Sequence, residues 1–238
     1  MFVRYGIRAV FLVVISFFMV AFSLAQGLKK APPSKMEGPE RVLRWDFEDV
    51  SIGSIPPGWK VEATGRGRPL AAWKVVKDTT APSGEKVLAL VQVNHHSGGT
   101  FNLCWTDKVS FLDGTIALAF KAVSGEIDEG GGIMWRVRDR NNYYVARFNP
   151  LEDNFRIYYV KNGRRRMIGT ARVSLPAGTW HTMRVVATGD RYACFLDGRK
   201  YLEGRDGHFK EAGGVGLWTK ADAMTSFDDF KVVLGDGK

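Results

Sequence analysis

Cysteine is almost absent from this 238-residue chain, with Cys104 and Cys194 as its only examples. That scarcity excludes metal clusters built on several thiolates. Histidine is scarce too: His95 and His96 are adjacent, so on a strand they would point to opposite faces, while His181 and His208 stand alone. There is no His-x-Glu-x-His or similar spacing and no Gly-x-Ser-x-Gly elbow, so histidine metal sites and serine-hydrolase chemistry have no carrier. No window shows a 3.6-residue apolar period over a helical length. No repeat of fixed period occurs, which disfavours a propeller. No helix-turn-helix, zinc-finger or RNP pattern is present, so no nucleic-acid partner is expected.

The N-terminus has a clear address. Arg4 and Arg8 precede an apolar run from Ala9 to Phe22, and Ser23-Leu24-Ala25 supplies small residues at −3 and −1 of a cleavage site. Residues 1–25 are therefore expected to be a cleaved signal peptide, the run being short for a membrane span. No cysteine follows it to carry a lipid anchor. Residues 26–40 (QGLKKAPPSKMEGPE) are too poor in apolar side chains to build a core and are expected to be a disordered linker. The formal charge of +9 would fall to +7 on cleavage, since both arginines leave. The product would be secreted, periplasmic or extracellular, with no membrane span, and its basic balance favours anionic surfaces or anionic glycans.

From Arg41 to about 235 the chain reads as a single domain of short strands and turns. VLRWDFEDV, WKVVKD, KVLALVQV, TFNLCW and GTIALAFKAV carry β-branched and aromatic residues, and Gly, Pro and Asp separate them. The stretch Gly130–Gly163 adds three more such segments and closes on Asn162-Gly163, a pair that favours a two-residue hairpin turn; Asp197-Gly198 is a second signal of that kind. About a dozen strands point to an all-β, two-sheet antiparallel sandwich of jelly-roll type. Cys104 and Cys194 lie in strand-like runs, FNLCW and YACFL. Free thiols are the expectation there, although export makes a disulfide chemically accessible.

The second half carries GGGIMWRVRDRNNYYVARFN, YYVKNG, LPAGTWHTMRVVATGDRYACFLDG and GGVGLWTKADAMTSFDDFKV. These segments resemble the concanavalin A-like lectin/glucanase superfamily, nearest its laminin-G-like exported bacterial domains and its 3-keto-disaccharide hydrolase domain. The Gly-Leu-Trp and Phe-Asp-Asp-Phe signatures are the most specific, and the resemblance spans Arg41 to Leu234. It implies two curved sheets with a concave face that often meets carbohydrate. Arg136 fits a position of the hydrolase branch, whereas Gly130-Gly131-Gly132 stands where that branch carries Asn-Ser-Gly.

Strand parity then nominates the site. Ile133, Trp135 and Val137, with Tyr144, Ala146 and Phe148, and with Phe155, Ile157 and Tyr159, should face the core. The opposite parity offers Arg136, Tyr143, Arg147, Arg156 and Tyr158, aromatic faces for sugar C–H surfaces interleaved with guanidinium forks for anions. A bulge near Asn141-Asn142 would invert that parity. Asp46, Glu48 and Asp228, on the first and last strands, are hard oxygen donors that could hold a structural calcium ion. Glu126, Asp128 and Glu129 suggest the paired acids of a glycosidase, but their phase breaks at Glu129, so a solvated turn is expected. Arg164-Arg165-Arg166 is expected to be a solvated loop tip. The expected role is a secreted, non-catalytic carbohydrate-binding sandwich whose partner is a glycan or polysaccharide, anionic in view of the arginines. A glycoside hydrolase or 3-keto-disaccharide hydrolase of the same fold is one alternative, and an adhesion or scaffold domain the other.

Overall fold

Alternating β-branched and aromatic residues carry most of the chain into strands. The computed structural model describes residues 41–65, 69–93 and 99–235. The expected leader at 1–25, the linker at 26–40 and the His95-His96 pair lie outside them. Among the described residues no helix is long and apolar enough to cross a membrane.

In chain order the strands are β1 (Arg41–Trp45), β2 (Trp59–Ala63), β3 (Ala72–Lys77), β4 (Lys86–Gln92) and β5 (Phe101–Phe111). Next come β6 (Gly114–Ser124), β7 (Gly131–Asp139), β8 (Asn142–Asn149), β9 (Asn154–Lys161) and β10 (Arg164–Arg172). The last five are β11 (Trp180–Thr188), β12 (Arg191–Leu196), β13 (Arg199–Arg205), β14 (Gly213–Lys220) and β15 (Met224–Leu234). One sheet has eight strands in the order β13-β12-β11-β6-β15-β4-β3, with β1 also paired to β15; the other has seven, β10-β9-β8-β7-β14-β5-β2. First and last strands do meet, antiparallel, from Arg41↔Leu234 to Trp45↔Phe230.

The two hairpin signals act as expected. Asn162 and Gly163 both take positive φ (50° and 75°), as do Asp197 and Gly198 (45° and 77°), which matches the twist of the strands they join. Between the sheets lies one apolar core containing Trp73, Trp135, Tyr144, Phe155, Tyr192 and Phe227. Trp135 and Tyr144 stack with centroids 5.4 Å apart, and Tyr192 meets Tyr144 at 4.9 Å. Cys104 and Cys194 are free and buried in this core on opposite sheets. Burial pushes both thiols well above their ordinary range.

The structure departs from the expected parity at one place. The bulge sits not at Asn141-Asn142 but earlier in β7, where Arg136 has φ 47° and the pairing with β8 shifts between Trp135 and Asp139. Arg136 consequently leaves the sheet face to which alternation assigned it.

Candidate functional site

Odd and even positions of the seven-stranded sheet divide its side chains between the core and an outer face. The outer face carries a second apolar cluster that includes Phe101, Leu103, Trp105, Met134, Val145 and Trp218. All fifteen strands belong to the two sheets, so among the described residues no third layer of regular structure lies on this face. Register lines up its side chains in rows. One row runs Glu62, Leu103, Trp218, Gly132, Arg147, Arg156, Thr170. The next runs Lys60, Trp105, Gly216, Met134, Val145, Tyr158, Met167.

Four of the five expected binding residues sit on this face: Tyr143, Arg147, Arg156 and Tyr158. The fifth does not. The bulge turns Arg136 toward the end of the sandwich, where its side chain is 2% exposed. There Nε donates to Leu112 O, Nη1 to Tyr192 Oη (3.0 Å) and Phe209 O (2.8 Å), and Nη2 to Asp113 Oδ1 and Gly189 O. Each N–H of the guanidinium thus has a partner, and the group ties two turns and a loop to β7.

Tyr143 is also committed internally. Its hydroxyl lies 2.8 Å from Thr64 Oγ1 and accepts from Trp218 Nε1 at 3.2 Å. Burial pushes the phenol well above its ordinary range. Tyr158 has a different neighbour: the Arg165 guanidinium lies 4.3 Å from its ring centroid and 5.0 Å from that of Phe101. The local run of charge puts Arg165 on a loop tip, but in the structure Arg164–Arg166 opens β10 and alternation points Arg165 onto this face. Register from the Asn162-Gly163 turn, opposing Arg165 to Val160 and Val160 to Tyr143, was the sequence signal for it.

At the β8–β9 end the face becomes polar. Arg147, with its side chain 1% exposed, gives Nη2 to Glu152 Oε2 at 2.9 Å. Arg156 Nη1 reaches the same oxygen at 3.2 Å and Tyr158 Oη at 3.4 Å. Burial alone would raise the Glu152 carboxyl, but bonds from Arg147 and Asn154 and the charges of Arg147 and Arg156 hold it down at about 2. Burial and the nearby Arg147 charge push Arg165 below its ordinary value. Nε and Nη1 of Arg147, Nη1 of Arg165 and Oδ1 of Asn154 have no hydrogen-bond partner.

The acidic loop between β6 and β7 is not the solvated turn expected of it. Asp128 is buried, accepting from Asn149 Nδ2 at 2.9 Å and pairing with Lys220. Asp222 organises the loop by accepting the N–H groups of Glu126, Ile127 and Asp128. Glu129 is buried as well, and desolvation raises its carboxyl above the ordinary value.

The acids considered for calcium are otherwise engaged. Asp46 and Glu48 lie in the turn after β1, not on it. Asp46 accepts Glu48 N–H, Glu48 accepts the N–H groups of Glu85 and Lys86, and Asp228 accepts that of Ser83. Burial, with the Asp229 charge adding to it, lifts Asp228 to about 6. Among the described residues no three His, Cys, Asp or Glu side chains gather into a group able to hold a metal ion.

Residues 58–233 match a domain family described as 3-keto-alpha-glucoside-1,2-lyase-like. Several solved structures share the fold. The carbohydrate-binding module CBM66 of Bacillus subtilis superposes with a TM-score of 0.56 at 21% identity, covering 74% of this chain and 95% of its own. The β-glucanase of Bacillus licheniformis gives 0.54 at 11% identity, covering 82% and 98%. Domain 4 of AbnA, a GH43 extracellular arabinanase of Geobacillus stearothermophilus solved with arabinotriose, gives 0.53 at 9% identity, covering 82% and 93%. The likeness is one of fold, the concanavalin A-like jelly-roll sandwich. No curated protein matches the sequence.

Proposed function

The chain belongs to the 3-keto-alpha-glucoside-1,2-lyase-like domain family, and from that premise we propose that it is an exported carbohydrate-binding sandwich. The glycan would lie on the outer face of the seven-stranded sheet. The observation that carries this is the meeting there of aromatic rings with unmet polar groups. Tyr158, Trp105 and Trp218 pack together there with 5%, 3% and 0% of their surface exposed, and beside them three arginine nitrogens and an asparagine oxygen lack partners. A sugar supplies what the polar atoms lack, hydroxyls that donate and accept, beside rings suited to its C–H faces. Structural relatives that bind or cleave glycans support the same class. The leader expected at residues 1–25 supports export.

The test is a polysaccharide pull-down and glycan array with the protein lacking residues 1–25. Tyr158→Ala should weaken the best ligand about two- to tenfold, the range for one lost aromatic contact. Binding unchanged in Tyr158→Ala and in Arg147→Ala would remove this face as the site.

A second, catalytic reading is favoured by the family description and by Glu129. In a 1,2-elimination from a 3-keto-α-glucoside, a base takes the C2 proton that the ketone acidifies. The C1–O bond breaks, C1=C2 forms, and the departing oxygen takes up a proton. A carboxyl raised by burial suits the base, because its proton affinity lies closer to neutrality. Formation of the unsaturated keto sugar from a 3-keto-α-glucoside, abolished by Glu129→Gln, would establish this reading. No turnover would leave binding alone.

A further inference from the structure

We propose that the β8–β10 corner of this face recognises the acidic group of a sugar, a carboxylate or sulfate, through Arg147 and Arg165. The inference rests on the glycan-binding reading above and specifies the ligand for the same face.

Charge is the first ground. Arg147, Arg156 and Arg165 converge on this corner, and Glu152 alone is salt-bridged to them, taking both Arg147 and Arg156. Arg165 has ring contacts instead of a carboxylate: Tyr158, Phe101 and Trp218 surround its guanidinium. Two positive charges therefore remain uncompensated beside a low-dielectric aromatic surface, where a bound anion is attracted more strongly than in water.

Unmet hydrogen bonding is the second ground, independent of the first. The Arg147 side chain is 1% exposed, yet its Nε and Nη1 donate to nothing, and neither does Nη1 of Arg165. Buried donors without acceptors are costly, and the cost is largest on charged groups. Each of these nitrogens requires an acceptor, and an anionic one forms the shorter, stronger bond. Asn154 Oδ1, an acceptor without a donor, sits opposite Asn149 in the same corner. A sugar hydroxyl next to the acidic group meets that need, whereas a bare inorganic anion does not. Gly132 stands between Trp218 and Arg147 in the register and contributes no side chain to the face.

The experiment is affinity electrophoresis and calorimetry on polygalacturonate, alginate, hyaluronan and chondroitin sulfate, each beside its carboxyl-reduced or desulfated form, using the protein lacking residues 1–25. Arg165→Met and Arg147→Gln are compared with the parent, after thermal melts confirm that each variant folds. The expected result is binding to at least one acidic polymer that falls about 10- to 100-fold when its acidic group is removed, the range for a lost charge-assisted hydrogen bond. Arg165→Met should reproduce that loss on the acidic polymer without changing binding to the neutral one. Carboxyl-reduced and desulfated arms separate a uronate from a sulfate ester. Equal binding to acidic and neutral forms would overturn the inference while leaving glycan binding intact. Binding to all acidic polymers alike, unchanged in both variants, would overturn it as attraction by net charge. Failure to bind any polymer, acidic or neutral, would overturn both readings.

Discussion

Arg136 and Arg147 lie on the same sheet, on adjacent strands, and are buried to the same degree, with side chains 2% and 1% exposed. Their surroundings are opposite. Around Arg136, carbonyls, a tyrosine hydroxyl and Asp113 accept every N–H. Around Arg147, one carboxylate accepts from one nitrogen and the other two, though buried, have no hydrogen-bond partner. Burial of a charge is thus no guide to its role. A guanidinium with all donors used holds the protein together, and one with donors left over costs the fold stability that a ligand can return.

The largest test of this contrast is stability. Arg136→Met should cost about 3–5 kcal/mol in urea denaturation, because it strands buried acceptors from three segments, whereas Arg147→Met should stay within about 1 kcal/mol. Equal losses would collapse the comparison. A smaller effect concerns the close approach of β7 to β8 at Gly132, beside Arg147. A Cβ on Gly132 would lie 1.8 Å from Ala146 O and 2.7 Å from Arg147 Cα. Gly132→Ala should therefore cost about 1–3 kcal/mol, the range for overpacking, and displace β7 from β8. A melting temperature at the parent value would show that this close approach does not require glycine.

The smallest effect is on pH. Glu152 titrates at about 2, below its ordinary value, so its contribution is complete above about pH 4.3 and is lost as pH falls toward 2. With Glu152 42% exposed, solvent screening reduces that contribution to about 1 kcal/mol. Arg147→Met should raise the Glu152 midpoint in an NMR titration. An unmoved midpoint would mean that Arg156 and Asn154 suffice.

Much of this was legible in the residues. Period-2 alternation separated Trp135, Tyr144 and Phe155 from Met134, Val145 and Tyr158, because a strand sends successive side chains to opposite faces. Asn162-Gly163 and Asp197-Gly198 announced their hairpins through the backbone angles those residues tolerate. Alternation failed at Arg136, where one bulged residue breaks the count and a non-glycine residue adopts positive φ. It failed differently at Arg164–Arg166, where local charge suggested solvent but pairing with β9 made a strand. Asp128 looked like part of a wet turn until Lys220, 92 residues away, supplied its counter-charge.

The order of residues is enough to specify an all-β sandwich, to place most of its strands and hairpins, and to say which parity of β8 and β9 builds the core. Those are local consequences of backbone geometry and of the free energy of burying alternate apolar residues. Which arginines are fully engaged and which remain available is settled by the packed molecule alone. The acceptors of Arg136 come from residues 23 to 73 positions distant, and the rings beneath Arg165 from three other strands. Hydrogen bonding is a short-range, directional interaction, so whether a donor is satisfied depends on distances that sequence spacing does not encode.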